Sequence, residues 1–374
     1  MQFIDLQRQY AALKSEIDAA IAKVLKKSDY ILGQDVGDFE KSIAAFVGVK
    51  HCVSCANGTD ALSIVFDAYK IGKGDAVFLP TFTFFATAET VSKCGATPIF
   101  IDADADTFNI DCIKLEQAVQ KVKAEGGLNC KAVVAVDLFG LPADYVQLNQ
   151  IAKKHDLLVI EDGAQGFGGA IGEQYCGSFG DVATTSFFPA KPLGCYGDGG
   201  AIFTNHDVMA SRMLSLRFHG RGEDKYDNVQ IGYNSRLDTV QAAVLKVKLE
   251  AFKSYELRKR REIAVSYDRA LKDYVSVPLI PKGYASSYAQ YTVKLESEEK
   301  RNRVMGRLKN KGIPSMIYYP KCMHQQTAYQ GYRFNLEELK VAEILCKTVL
   351  ALPMHPYLTE EEVDEISKAV INSL

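Results

Sequence analysis

Residues 131–162 read KAVVAVDLFGLPADYVQLNQIAKKHDLLVIED. Two runs in it, KAVVAVDLFG (131–140) and LLVIED (157–162), are rich in β-branched residues, which suits strands buried on both faces. Between them, residues 143–155 carry helical spacing. A strand, a helix and a strand at this spacing form a crossover unit, and such units build parallel sheets. The alternation continues upstream. NGTDALSIVFDAYK (57–70) is a Gly-Thr turn feeding a helix, and DAVFLP (75–80) is a strand ended by proline. TFFATAETVSKCG (83–95) is a helix closed by Gly95, and TPIFID (97–102) is a further strand. The sequence therefore predicts an α/β fold with a mostly parallel central sheet.

Outward from this core, apolar spacing predicts helices over 11–28 and 36–47. From about residue 238 the texture changes. Residues 239–274 read as one long helical region with charges on its outer face. Past Pro278 the chain reads as an α+β lobe. YAQYTVKLE is a strand, RNRVMGRLKNKG a helix capped by Gly312, and LTEEEVDEISKAVINSL a terminal helix capped by Thr359. The predicted division is a large lobe over 1–245 and a smaller C-terminal lobe over 246–374.

The 374 residues suffice for two such lobes. A net charge of −2 offers no global field to draw nucleic acid. No run approaches 18 apolar residues, so no membrane span is expected, and MQFIDLQRQY lacks the apolar core of a signal peptide. The nine cysteines, odd in number and scattered, suit reduced thiols in a cytoplasm. Cys52 and Cys55 form a C-x-x-C. They are read as packing rather than redox residues, because no strand-then-helix setting that would lower a thiol pKa is evident.

Chemistry concentrates elsewhere. SFFPAKPLGCYGDGGA (186–201) places Lys191 between Pro189 and Pro192 and ahead of Gly194, Gly197, Gly199 and Gly200. The prolines fix φ on either side, and the glycines let the backbone turn tightly and approach a ligand. That frame suits a lysine bonded to a cofactor carbon and later moving protons there. Asp162 ends a buried strand, where ligands bind in open α/β sheets. Pyridoxal phosphate needs both a bonding lysine and an acid on its pyridine nitrogen. A carboxylate beside that cation is expected to stay ionised, the opposite charge outweighing desolvation. Gly58 and Thr59 open a helix, whose free N–H groups favour a phosphate, and Ser186 offers a hydroxyl. Among Phe82, Phe84 and Phe85, one is expected to stack on the ring.

NGTDAL, PTFTFFATAE, EDGAQ, SFFPAKPLGCYGDGGAIFTN, GYNSRLDTVQAA and YYP stand in the order and spacing of the DegT-type sugar-nucleotide aminotransferases, and the chain resembles that family over nearly its whole length. The resemblance implies a fold-type I pyridoxal phosphate transferase. It implies that Lys191 bonds the cofactor, Asp162 pairs with the ring nitrogen and Gln165 with the ring hydroxyl. Gly58, Thr59 and Ser186 would hold the phosphate, and Phe84 would stack. Asn234 is similar to an asparagine that reaches the neighbouring subunit's phosphate, which implies a homodimer with shared sites. Arg236, Tyr319 and His324 resemble substrate-facing positions. The family often has histidine where Tyr318 stands. His219 matches a common family residue or makes a structural hydrogen bond. Arg217, Arg221 and Lys321 are further cations for a diphosphate or carboxylate.

Within the family, the ILGQDV stretch and the Lys191 block resemble the branch acting at C3 of UDP-2-acetamido-2-deoxy-3-oxo-glucuronate. That branch makes 2,3-diamino sugars for surface polysaccharide such as lipopolysaccharide O-antigen. Amination at C4, or of another UDP- or dTDP-linked keto sugar, is the alternative. L-glutamate is the implied amino donor and pyridoxamine phosphate the intermediate cofactor form. A dehydratase relative would carry histidine in place of Lys191. A nicotinamide enzyme would need a G-x-G-x-x-G after its first strand, which is not found so placed. A binding relative without activity is disfavoured by the retained lysine, aspartate and phosphate groups.

Overall fold

The computed structural model describes residues 1–224, 226–332 and 339–374. Two helices lead, α1 (Leu6–Lys27) and α2 (Gln34–Val47), followed by β1 (His51–Cys55) and α3 (Gly58–Ala68). Then come β2 (Asp75–Pro80), α4 (Phe85–Lys93), β3 (Thr97–Ile101), α5 (Cys112–Glu125), β4 (Asn129–Val136), α6 (Tyr145–His155) and β5 (Leu158–Asp162). A short hairpin, β6 (Ala170–Ile171) and β7 (Gln174–Tyr175), precedes β8 (Val182–Ser186) and β9 (Gly200–Thr204). The strand–helix–strand unit at 131–162 is present as β4, α6 and β5, which pair in parallel with Val136 opposite Asp162.

The seven-stranded sheet runs β1-β9-β8-β5-β4-β2-β3. All of its strands point one way except β9, which is antiparallel to both neighbours. Its strands read as near-continuous apolar runs because helices cover both faces. Val53, Val134, Ile160 and Ile202 pack toward α3 and α4. Phe78, Val133, Ala135 and Val159 pack toward α5 and α6.

After α7 (Asp207–Leu216), the predicted long helical region is α8 (Thr239–Ala251) and α9 (Leu257–Leu271), joined by a single π-type turn at Phe252–Glu256. Residue 245 lies inside α8, which packs on α1 and α2. A second core starts on α9 and gathers β11 (Tyr291–Lys294), α10 (Glu298–Asn310), β12 (Val349–Leu352) and α12 (Glu360–Ile371), while β10 (Tyr284–Ala285) pairs with β6 and α11 (Lys340–Thr348) packs with Phe82, Phe108 and Phe139. Tyr267, Tyr291, Val304, Leu352 and Ile366 meet in it. Thr359 caps α12 through a capping box with Glu362, as expected. Gly312 follows α10 with φ +72°, the left-handed turn predicted for it.

The C-x-x-C setting needs correction. Cys52 and Cys55 sit on β1, which runs directly into α3, so the strand-then-helix arrangement does exist. The packing reading stands on burial instead. Both thiols are enclosed, which raises the Cys55 pKa to about 12 and that of Cys52 well up. Among the described residues no helix is long and apolar enough to cross a membrane.

Candidate active site

A cleft of ≈ 390 Å³ opens at the carboxyl ends of β2, β4, β5 and β8, and Thr59, Phe84, Asp162, Gln165, Lys191 and Tyr319 all line it. This is the end of an open α/β sheet at which ligands bind.

Asp162 ends β5 and is 5% exposed. The Thr87 hydroxyl donates to its Oδ2 at 2.8 Å, and the Ala164 N–H to Oδ1 at 3.3 Å. Burial raises the carboxyl pKa, while those donors and the charge of Lys191 oppose the rise without cancelling it. Lys191 is the smallest of the opposing contributions. Lys191 is half-buried, and burial lowers its pKa below the usual lysine range, with Asp162 pulling it back. A lysine so shifted carries more of the neutral, nucleophilic amine at neutral pH.

The loop that carries Lys191 closes on itself. The Phe187 N–H donates to Gly199 O at 2.7 Å, Cys195 N–H to Phe187 O at 2.8 Å, and Lys191 N–H to Phe188 O at 2.8 Å. A Cβ on Gly194 would stand 2.5 Å from Pro189 O, and one on Gly200 2.4 Å from the Asn57 carbonyl carbon. Neither glycine has a left-handed φ. The glycines therefore serve backbone packed against backbone, and not the tight turning read from the sequence.

The end of the cleft suited to an anion is built on α3. Asn57 caps the helix by accepting from Asp60 N–H at 2.8 Å. The N–H groups of Gly58 and Thr59, in the first turn, have no intrahelical acceptor, and the dipole favours an anion there. A Cβ on Gly58 would lie 2.8 Å from the Ser186 Cβ, so only glycine fits between helix start and strand end. Ser186 closes the cradle, its Oγ accepting from Phe188 N–H at 3.2 Å. An amine, a buried acid and an anion cradle thus face one cavity, the donor set that a phosphorylated aldehyde cofactor requires.

Phe84 precedes the first turn of α4 and is 55% exposed, unusual for phenylalanine beside a buried sheet end. Its ring centroid lies 6.2 Å from that of Tyr319. Gln165 accepts from Phe139 N–H at 2.9 Å and donates to the Tyr319 hydroxyl at 2.9 Å. One amide hydrogen of Gln165 is left to face a ligand.

Other expected contacts do not join this cleft. His324 has a side chain 1% exposed, held by Thr81 Oγ1 at 2.8 Å and Glu343 at 3.0 Å, behind the lining. Arg217 is 7% exposed and occupied by Glu40 and the Ser54 carbonyl, so it is structural. Arg221 and Arg236 stack on Phe218, at 5.6 and 4.7 Å from its centroid, and Arg236 bonds the Asn234 side chain. Asn234, His219 and Lys321 are exposed outside the lining. The sequence reading missed Thr87, Gln290 and Ile4, which line the cleft together with Tyr318. Thr87 was legible in principle, since it falls three residues after Phe84 on one helix face.

The chain is 44% identical over 374 residues, the full length of both proteins, to a UDP-2-acetamido-2-deoxy-3-oxo-D-glucuronate aminotransferase of Pseudomonas aeruginosa. A crystal structure of a DegT DnrJ EryC1 StrS aminotransferase from Brucella abortus superposes with TM-score 0.96 at 49% identity, covering 99% of this chain and 98% of that one. The sugar aminotransferase Spr1654 of Streptococcus pneumoniae, in its PLP form, superposes with TM-score 0.89 at 25% identity over 96% of each chain. The description of the DegT/DnrJ/EryC1/StrS aminotransferase family matches residues 11–371, and the chain belongs to that family.

Proposed function

We propose that this protein uses pyridoxal phosphate to transfer the amino group of L-glutamate to a keto sugar nucleotide, at C3 of UDP-2-acetamido-2-deoxy-3-oxo-glucuronate. The observation that carries the reading is the meeting of Lys191, Asp162 and the start of α3 in one cleft. The substrate assignment is supported by the full-length similarity to the Pseudomonas aeruginosa enzyme of that name.

Pyridoxal phosphate, when bound, supplies an electron sink for the charge that develops at the donor's α-carbon. Gly58, Thr59 and Ser186 would hold its phosphate, Phe84 would cover the ring, Gln165 would donate to the ring hydroxyl, and Asp162 would accept from the ring nitrogen. The Lys191 ε-amine would both bond the cofactor and move protons. It takes one from the α-carbon of glutamate and later delivers one on the sugar side. Tyr319, fixed by Gln165, bounds the space for the sugar and limits water at the reacting carbon.

The exposed Asn234 and the half-buried Arg236 suit a role in a partner's cleft, so the working unit is read as a homodimer with shared sites. The large lobe is taken as 1–245, its boundary lying within the helical run of α8 and α9. The setting is read as cytoplasmic synthesis of a 2,3-diamino sugar for surface polysaccharide.

The test is incubation with L-glutamate and each of the UDP- and dTDP-linked 3-keto and 4-keto sugars, read by mass and NMR. An amine at C3 of the UDP-keto-uronate is expected. Amination of C4 or of a dTDP sugar would overturn the substrate assignment, and no amination of any of them would overturn the transaminase reading.

A further inference from the structure

Lys248 lies on α8, far along the chain from the cleft residues, and is 1% exposed. A fully buried lysine needs an acceptor for its ammonium. Its Nζ donates to the carbonyl oxygen of Gly194, in the loop that carries Lys191. The same Nζ lies 4.9 Å from the ring centroid of Tyr196. Seven residues earlier on α8, and so on the same face, Gln241 brackets the Tyr196 backbone. Its Oε1 accepts from Tyr196 N–H at 2.8 Å and its Nε2 donates to Tyr196 O at 3.3 Å. Between them Leu245 packs with Leu193 and Cys195 of the loop.

A Cβ on Gly194 would stand 2.5 Å from the carbonyl oxygen of Pro189 and 2.6 Å from that of Phe188, so here the loop backbone packs against itself. Holding the Gly194 oxygen therefore holds the whole turn from Phe188 to Cys195. We propose that Lys248 and Gln241 are positioning residues for Lys191, with α8 clamping the carbonyl of Gly194 and the backbone of Tyr196 so that the lysine amine has one place in the cleft. The inference rests on Lys191 being the reactive lysine. Burial pulls the Lys248 pKa down to about 8. Glu256 and Cys195 oppose that shift, and Arg260 reinforces it. Such a burial costs stability.

The test compares Lys248→Met and Gln241→Leu with wild-type holoenzyme and with Lys191→Ala. Three quantities are read: the urea midpoint, the steady-state constants with glutamate, and the pH titration of the visible absorbance that reports the lysine–cofactor link. For Lys248→Met, the urea midpoint should move little, because the loss of a buried charge offsets the hydrogen bond that the Gly194 carbonyl gives up. Turnover should fall about 10–100-fold, as expected for a reacting group displaced by a fraction of an ångström to an ångström. KM should stay within about threefold, since ground-state binding is untouched, and the absorbance midpoint should move. Gln241→Leu should show the same pattern with a smaller fall. A folded Lys248→Met with wild-type turnover and absorbance midpoint overturns the proposal. If Lys248→Met does not fold, wild-type values in Gln241→Leu overturn it. Should Lys191→Ala keep both band and turnover, the reading of Lys191 itself fails. If it loses them while the α8 variants behave as wild type, only this inference fails.

Discussion

Glu161 and Asp162 are neighbours on β5, both buried, and they face opposite sides of the sheet. Asp162 meets donors and a cation: Thr87, the Ala164 N–H and Lys191. Glu161 takes the N–H groups of Gly177 and Phe179, and its remaining neighbour is another acid, Asp137. Asp137, Glu161 and Cys176 bring ligating atoms within 4.8 Å of one another. Burial followed by mutual repulsion pushes Glu161 well up, and burial takes Asp137 up to about 6. Equal desolvation thus gives opposite uses. On the cleft side it leaves a carboxylate placed to meet a cation, and on the far side burial and mutual repulsion favour the protonated form in a pair of neighbouring acids.

The comparison breaks most sharply at Asp162. Asp162→Asn keeps the size and the Thr87 hydrogen bond but loses the charge. Turnover should fall on the order of 10³-fold, with the melting temperature near wild type. An active Asp162→Asn variant would remove the functional half of the contrast.

Glu161→Gln should do the reverse. One amide group must turn its hydrogens toward a backbone N–H, and leaving that donor unsatisfied costs about 1–3 kcal/mol of stability. Turnover per folded molecule should persist. The pH dependence sharpens the point. Both native carboxyls are raised above their unfolded values near 4. Their contribution to stability is therefore full at low pH and is lost as pH rises through about 4 toward the native values. Denaturation midpoints from pH 4 to 7 should decline more steeply in wild type than in Glu161→Gln. Parallel curves would show that the protonated form is not favoured in this pair.

The smallest expected effect belongs to the cradle. Ser186→Ala deletes one hydroxyl of several donors, so cofactor affinity should weaken about tenfold with turnover at saturation unchanged. An unaltered affinity would place the anion elsewhere than between α3 and β8.

The frame of this contrast was legible from residues. β-Branched runs marked β4 and β5, and their ends are where a sheet exposes acids, so Asp162 was visible. Pro189 and Pro192 marked Lys191 as restrained. Which face each neighbour takes was not legible, because Glu161 and Asp162 differ only by the alternation of a strand whose two faces are both apolar. His324 and Arg217 illustrate the same limit. Each was a candidate from the sequence, yet Thr81 with Glu343 and Glu40 with Ser54 hold them inside the protein. Lys248 was hidden for another reason. A lysine on a helix reads as surface charge, and only the packing of α8 against the Lys191 loop reveals its carbonyl partner.

The proposed chemistry depends on a covalent bond between the Lys191 ε-nitrogen and the cofactor. Reduction of the purified holoenzyme with borohydride, digestion and peptide mass spectrometry read that bond directly. One pyridoxyl adduct is expected, on the peptide carrying Lys191. An adduct on any other lysine, or none on a holoenzyme with its absorbance band intact, would contradict it.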